Sequence, residues 1–357
     1  MSTRRKLLAC LIVTAGCLVS GAAATGSAAA APSPYVTRSG ATLMLGGAHF
    51  RFTGLNIYNA NSTGTCWYDM ASGSTLSDSL TAIGSGKEAM RAWFFQSLAT
   101  SNGDRDWTAF DHTLAVARSH GVKVIVTLGN QWGDCETSGY RTDQWYAGGY
   151  LARRDPGMSL PYALWVAQVV ARYRDDPTIL AWQLMNEAEV KPSRDSPSCS
   201  ANAARTLKAF ATVMSLAVKA IDRNHLVSVG TIGGGQCGAQ GDEYQSLYSV
   251  PTLDLCEYHD YQATSPMPGD KFNGLQRRLT QCSALGKPLM VDETGIKPSE
   301  VGGTLEARAA MFAAKFSTQF TAGVVGELAW AWDKNMSTST DYDIGPGDPS
   351  LAVLGAY

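Results

Sequence analysis

The chain has 357 residues, 45% of them apolar, and its 29 basic and 31 acidic side chains leave a formal charge of −2. With the two signs interspersed, there is no electrostatic footprint for nucleic acid or an anionic surface, so a neutral partner is favoured. Beyond the N-terminal leader, no stretch reaches the roughly 18 uncharged apolar residues that span a bilayer, and no membrane partner is expected.

Taken from the start, Arg4, Arg5 and Lys6 precede an apolar run from Leu7 to Val19 that passes into alanine-rich sequence. This is the pattern of an export signal over residues 1–31, cleaved near Ala31, and it predicts a secreted protein. Thr3-Arg4-Arg5-Lys6-Leu7-Leu8 also resembles a twin-arginine signal, which leaves the export route open. Cys17 is not expected to carry lipid, because the apolar run continues past it and Thr14 stands where an aliphatic residue is usual. Residues 32–357 are then long enough for one large core and short for two typical domains. Six cysteines remain (Cys66, Cys135, Cys199, Cys237, Cys256 and Cys282), an even number that favours disulfides in an exported chain and leaves their pairing open. Neither C-x2-C nor H-x3-H spacing occurs, so no zinc site is expected.

Eight short β-rich runs follow, separated by segments of helical composition. They are Phe50–Tyr58, Ala89–Phe95, Val122–Leu128, Ile179–Glu187, Leu226–Gly230, Leu255–Tyr261, Pro288–Glu293 and Gly326–Asp333. Repeated βα units predict a parallel sheet, and eight of them predict a single-domain α/β fold, the (β/α)8 TIM barrel. Between the runs, apolar spacing predicts helices over Trp107–His120, Pro161–Tyr173 and Ala204–Ile221. Ahead of the first run, Tyr35–Thr37 and Thr42–Leu45 read as a small hairpin that plugs the barrel's bottom. After Trp332 the polar, Gly/Pro-rich tail reads as loop with a closing helix.

In such barrels the functional groups sit at the C-terminal strand ends. Those positions hold Arg91, Asn130, Trp132, Asn186, Glu187, His259, Tyr261, Glu293 and Trp330. Two carboxylates among aromatics and hydrogen-bond donors suit cleavage of a glycosidic bond, in which one acid protonates the departing oxygen and a second carboxylate attacks the anomeric carbon. All of these but Asn130 also have a plainer reading. The glutamates and Arg91 suit buried ion pairs, Asn186 a turn, His259 and Tyr261 a satisfied core, and Trp132 and Trp330 simple packing. Trp67, Trp107, Trp145 and Trp165 are left to core or surface, and Trp332 to either class. Gly84-Ser85-Gly86-Lys87 lacks the earlier glycine and the Ser/Thr of a phosphate loop. Gly233-Gly234-Gly235 has no G-x-G-x-x-G pattern and is expected to let a loop pass close to substrate.

Trp182-Gln183-Leu184-Met185-Asn186-Glu187 resembles the W-E-L-x-N-E motif of glycoside hydrolase family 5, and Val291-Asp292-Glu293-Thr294-Gly295 its E-x-G motif. Arg91, His259-x-Tyr261 and Trp330 match further family positions, and the likeness runs in order over nearly the whole mature chain. The resemblance implies a retaining hydrolase with Glu187 as acid/base and Glu293 as nucleophile. It also implies that Asn186 binds the sugar 2-hydroxyl, that Arg91 and Tyr261 orient the nucleophile, that His259 supports Glu187, and that Trp330 floors the cleavage subsite. Leu128-Gly129-Asn130-Gln131-Trp132 is similar to the β-mannanase run after strand three, which favours an endo-acting β-1,4-mannanase over a β-glucanase or cellulase. Departures are Asn186-Glu187-Ala188-Glu189 where mannanases carry N-E-P-R, and Gln262 where H-x-Y-P is usual. A catalytically silent carbohydrate-binding barrel is the alternative of another class, and a metal-dependent lyase or isomerase a third. No cofactor is expected; the partner is a polysaccharide or oligosaccharide, and the chain is expected to act as a monomer.

Overall fold

All eight β-rich runs form parallel strands: β1 (Phe52–Asn56), β2 (Ala89–Trp93), β3 (Lys123–Thr127), β4 (Ile179–Gln183), β5 (Leu226–Ser228), β6 (Cys256–Asp260), β7 (Leu289–Thr294) and β8 (Gly326–Ala329). The computed structural model describes residues 33–136, 139–336 and 341–357, so the leader expected over residues 1–31 lies outside the described residues. The hydrogen-bonded strand order is β5-β4-β3-β2-β1-β8-β7-β6. Across the remaining seam Asp254 N and Leu255 N donate to Val227 O (2.8 and 3.3 Å) and His259 N donates to Ile232 O (2.8 Å), which nearly closes the barrel. Residues of β1, β2, β4, β6 and β7 are buried throughout, as parallel strands with covered faces require.

A helix follows each strand: α1 (Thr75–Ile83), α2 (Thr108–Ser119), α3 (Tyr162–Tyr173), α4 (Ala203–Ile221), α5 (Asp242–Tyr248), α6 (Leu275–Ala284), α7 (Leu305–Ala322) and α8 (Ser350–Leu354). α4 shows why: Leu207, Phe210, Ala211, Met214 and Val218 recur every three or four residues and form its buried face. α7 starts where Thr304 accepts a hydrogen bond from Ala307 N, and ends on Gly323 in the left-handed conformation at φ 108°.

The barrel holds two cores. Below, Leu43 and Val36 pack on Phe52, Ala89, Leu180 and Met290. Those two residues come from the N-terminal plug, which is a three-stranded antiparallel sheet (Thr37–Ser39, Thr42–Leu45, Ala48–Phe50) where the sequence suggested a two-stranded hairpin. Above, the interior turns polar: Asn56, Arg91, Thr127, Gln183, Glu257 and Asp292 are all buried.

The six cysteines pair as Cys66–Cys135, Cys199–Cys237 and Cys256–Cys282. The first ties the β1 loop to the β3 loop, the second the β4 loop to the β5 loop, and the third β6 to α6. Closing loops with separations of 69, 38 and 26 residues restricts the unfolded chain by about 3.5 to 4.5 kcal/mol each. In the glycine run Gly233 lies against the Glu257 carbonyl and Tyr258, Gly235 against the Asn273 side chain, and Gly234 is exposed. Trp332, left open by the sequence, is buried at 2% exposure, with Trp145 and Trp165 also in the core.

Candidate active site

Arg91 on β2 is the centre of the polar core. Its fully buried guanidinium donates to Gln183 Oε1 (2.7 Å), Asn56 Oδ1 (3.0 Å), Asn186 Oδ1 (2.7 Å) and Glu293 Oε1 (2.6 Å). A buried cation of this kind is stable only when its fork is matched on every side. Gln183 passes the network on, donating to Glu257 Oε1 (2.6 Å) and Asp292 Oδ2 (2.5 Å).

Asp292 and Glu293 are consecutive in β7, and regular alternation would aim them at opposite faces. The β7–β8 register shifts between Val291 and Thr294, and the β6–β7 register between Tyr258 and His259. These irregularities let both carboxylates join one cluster, the re-aiming that bulges provide beside functional sites. Glu293 Oε2 accepts from the Tyr261 hydroxyl at 2.6 Å. That contact needs Gly295, since a Cβ there would overlap the Tyr261 ring.

Glu187 lies four residues beyond the end of β4, not on the strand as its run suggested, and its φ of 57° is left-handed. Such a conformation costs a non-glycine residue of order 1 to 3 kcal/mol and clusters at functional sites. Its Oε2 accepts from Trp132 Nε1 (2.5 Å), and its Oε1 stands 2.8 Å from His259 Nδ1. The same nitrogen is 3.4 Å from Glu293 Oε2. Glu187, His259 and Glu293 thus offer three ligand-type atoms within 4.8 Å of one another.

Electrostatics follow from this crowding. Burial pushes Glu293 above the ordinary carboxylate value against the pull of His259 and Arg91, and the charge of Glu187 adds to the rise. Burial acts the same way on Glu187, but the His259 hydrogen bond and charge, with the Trp132 N–H, outweigh it and leave that carboxyl low. Burial lowers His259, yet Glu293 and Asp292 raise it well above an ordinary imidazole. Burial, then Asp292, raises Glu257 to about 7. Arg91 and His259 thus offset the carboxylates of Glu187, Asp292 and Glu293.

Asn130 is turned inward: its Oδ1 accepts from Asn186 Nδ2 (3.0 Å) and its Nδ2 donates to Asp134 O (3.0 Å). It holds Asn186 in place from a buried position. Trp330 is partly exposed and stacks on Tyr58 (centroids 5.2 Å apart, 13° between planes), which leans in turn on Trp93 at 4.8 Å. Every site residue named from the sequence lies at this end of the barrel. Sequence reasoning missed Asp292, Gln183, Glu257, Asn56, Tyr58 and Gly295. A count of acids at strand ends passes over Glu257 and Asp292, which sit inside β6 and β7.

Over residues 50–336 the chain matches the family described as cellulase (glycosyl hydrolase family 5). It is 28% identical over 258 residues to a probable mannan endo-1,4-β-mannosidase F of Aspergillus flavus, covering 68% of this chain and 52% of that protein. A probable mannan endo-1,4-β-mannosidase A-2 of Aspergillus terreus is 26% identical, with 83% and 68% covered. The chain therefore spans about half the length of the first of these relatives. Among solved structures, the endo-1,4-β-mannanase of Rhizomucor miehei superposes with a TM-score of 0.69 at 21% identity, over 90% of this chain and 97% of that one. A broad-specificity endoglucanase of Clostridium acetobutylicum gives 0.59 at 15% identity, over 85% and 96%. At these identities the structural likenesses bear on the fold, a (β/α)8 barrel. Since the matched residues, 50–336, make up most of the 357, the chain belongs to glycosyl hydrolase family 5.

Proposed function

We propose that the protein is a secreted endo-β-1,4-mannanase that hydrolyses its polymer with retention, Glu187 acting as acid/base and Glu293 as nucleophile. The observation that carries this reading is the approach of the two carboxylates to within 4.8 Å, against about 5 to 5.5 Å for retaining and 6.5 to 9.5 Å for inverting pairs. That approach falls below the inverting range, which accommodates the attacking water beside the sugar, and supports a carboxylate that itself bonds to the sugar.

In the first step Glu293 attacks the anomeric carbon as the bond to the leaving sugar's oxygen breaks, and Glu187 gives that oxygen its proton. In the second, Glu187 takes a proton from water, whose oxygen displaces the Glu293 ester and restores both groups. Arg91 and Tyr261 fix the oxygens of Glu293 for attack. Glu187 must carry a proton for the first step, and sugar that fills the mouth and excludes water raises that carboxyl by opposing its charge. Asn186 has one amide N–H engaged by Asn130 and a second to offer the 2-hydroxyl. Trp330, stacked on Tyr58, gives the ring a flat apolar floor.

Mannan is favoured by the names of the Aspergillus relatives and by the run Leu128–Trp132. Glu189, where mannanases carry arginine, is engaged by the Tyr140 hydroxyl (2.8 Å) and lies 4.0 Å from Lys191, so it braces the loop. β-Glucan is the second reading, favoured by the likeness to the Clostridium endoglucanase. Export is supported by the leader and by three disulfides. Among the described residues no helix is long and apolar enough to cross a membrane. One chain supplies the whole cluster, which suits a monomer.

The test is reducing-sugar release from manno-, gluco- and galacto-linked β-polymers by wild type and Glu293→Ala. Mannan cleavage by wild type and its loss in the variant are expected. Equal activity in both, or none on any polymer, contradicts the proposal.

A further inference from the structure

We propose that Trp67 is a second stacking platform, distal to the cleavage subsite, for one pyranose unit of a long polymer chain. The inference rests on the reaction proposed above and adds a binding position to it.

Trp67 is 71% exposed, the highest value among the large hydrophobic side chains of the described residues, and its φ of 69° is left-handed. Neither feature favours tryptophan. The indole forfeits burial, and a bulky side chain in this backbone region is an outlier that glycine or asparagine would relieve. Among the described residues no aromatic ring or cation stacks on this indole, so an external apolar surface is the partner that its chemistry suits.

The segment that carries it is rigid. Ser62 O accepts from Met70 N (2.9 Å) and Ala71 N (3.0 Å), and Ser62 Oγ accepts from Gly64 N and Cys66 N, each at 3.0 Å. Thr63 pairs with Asp69 across the turn. Both neighbours of Trp67 are anchored to other loops of the same barrel face. Cys66 is bonded to Cys135 in the β3 loop, which carries Asn130 and Trp132. The Tyr68 hydroxyl accepts from Lys334 N (3.2 Å) in the β8 loop, just beyond Trp330, and Lys334 Nζ stands 4.9 Å over the Tyr68 ring. Trp67 is thus fixed between two loops of the cleavage site, on the segment whose root is Tyr58, the ring stacked on Trp330.

A rigid, uncharged aromatic face suits the C–H face of a neutral pyranose, and little freedom is lost on binding because the backbone is already fixed. Only chains long enough to reach both Trp330 and Trp67 gain from it, so the effect is one of chain length.

The experiment compares wild type with Trp67→Asn, Trp67→Ala and Trp67→Phe on β-1,4-mannan, mannohexaose and an aryl mannobioside, together with thermal melting. Expected are KM values for polymer and hexaose raised roughly 2- to 12-fold, the factor of one aromatic stack, in the Asn and Ala variants. Part of the loss is recovered by Phe, kcat on the aryl substrate is unchanged, and the Asn variant, free of backbone strain, melts at or above the wild-type temperature. Wild-type KM on the long substrates in Trp67→Asn overturns the platform, as does a lowered melting temperature accompanied by equal losses on all three substrates. If wild type cleaves no β-linked polymer, the reaction reading fails first and the platform falls with it.

Discussion

Glu187 and Glu293 share one imidazole: His259 Nδ1 stands 2.8 Å from an oxygen of the first and 3.4 Å from an oxygen of the second. The ring's other nitrogen lies 3.5 Å from Asp292, so its charge is held by three carboxylates at once. His259 therefore acts on both glutamates through electrostatics, lowering each.

Replacing His259 with Asn removes that charge, so both carboxyl pKa values rise. On the roles proposed here, Glu293 must be ionised, which sets the acid limb of kcat/KM, and Glu187 must be protonated, which sets the basic limb. Both limbs are expected to move to higher pH, by roughly one to three units. A pH–rate profile with unmoved limbs contradicts this.

Tyr261→Phe removes a hydrogen bond that lowers Glu293. The acid limb moves up in pH, and kcat falls about 10- to 150-fold, as expected for a lost bond to a charged group. Gly295→Ala forces the Tyr261 ring aside and is expected to give the same profile. Steady-state rates of the double variant should match either single one; additive losses would separate the two effects.

Arg91→Met leaves Glu293, Asn186, Gln183 and Asn56 without their buried donor. A loss of about 3 to 5 kcal/mol in stability is expected, together with activity. Arg91→Lys retains the charge and not the fork, and is expected to recover only part of either in denaturant melts and rate assays.

The Glu187–His259–Glu293 triplet has the atoms of a metal site and, on the proposed reaction, no use for a metal. Chelator is expected to leave activity unchanged, whereas micromolar to millimolar Zn2+ is expected to inhibit competitively by binding imidazole and carboxylate together. Loss of activity on chelation, restored by metal, would contradict the mechanism.

Much of this architecture is legible in the residues themselves. Parallel strands buried on both faces read as apolar runs, so all eight appear in the sequence, as do α2, α3 and α4 to within a residue at their ends. Asn186, Glu187 and Glu293 stand out because polar residues abruptly end such runs. Other parts depend on three dimensions. Asp292 and Glu293 reach one cluster only through register shifts between strands far apart in sequence. Glu257 lies inside β6 and is held by Gln183 and by the backbone of Gly230 and Thr231. That Asn130 braces Asn186 and the Asp134 carbonyl shows only in the partners of its amide. Trp67 shows no periodicity that would separate a displayed indole from a buried one.

The central claim is that two carboxylates within 4.8 Å are closer than an inverting pair, so that Glu293, not a water, bonds first to the sugar. Proton NMR of the first sugar released from mannohexaose, recorded before mutarotation, tests it directly. The β-anomer is predicted; initial appearance of the α-anomer would contradict the account.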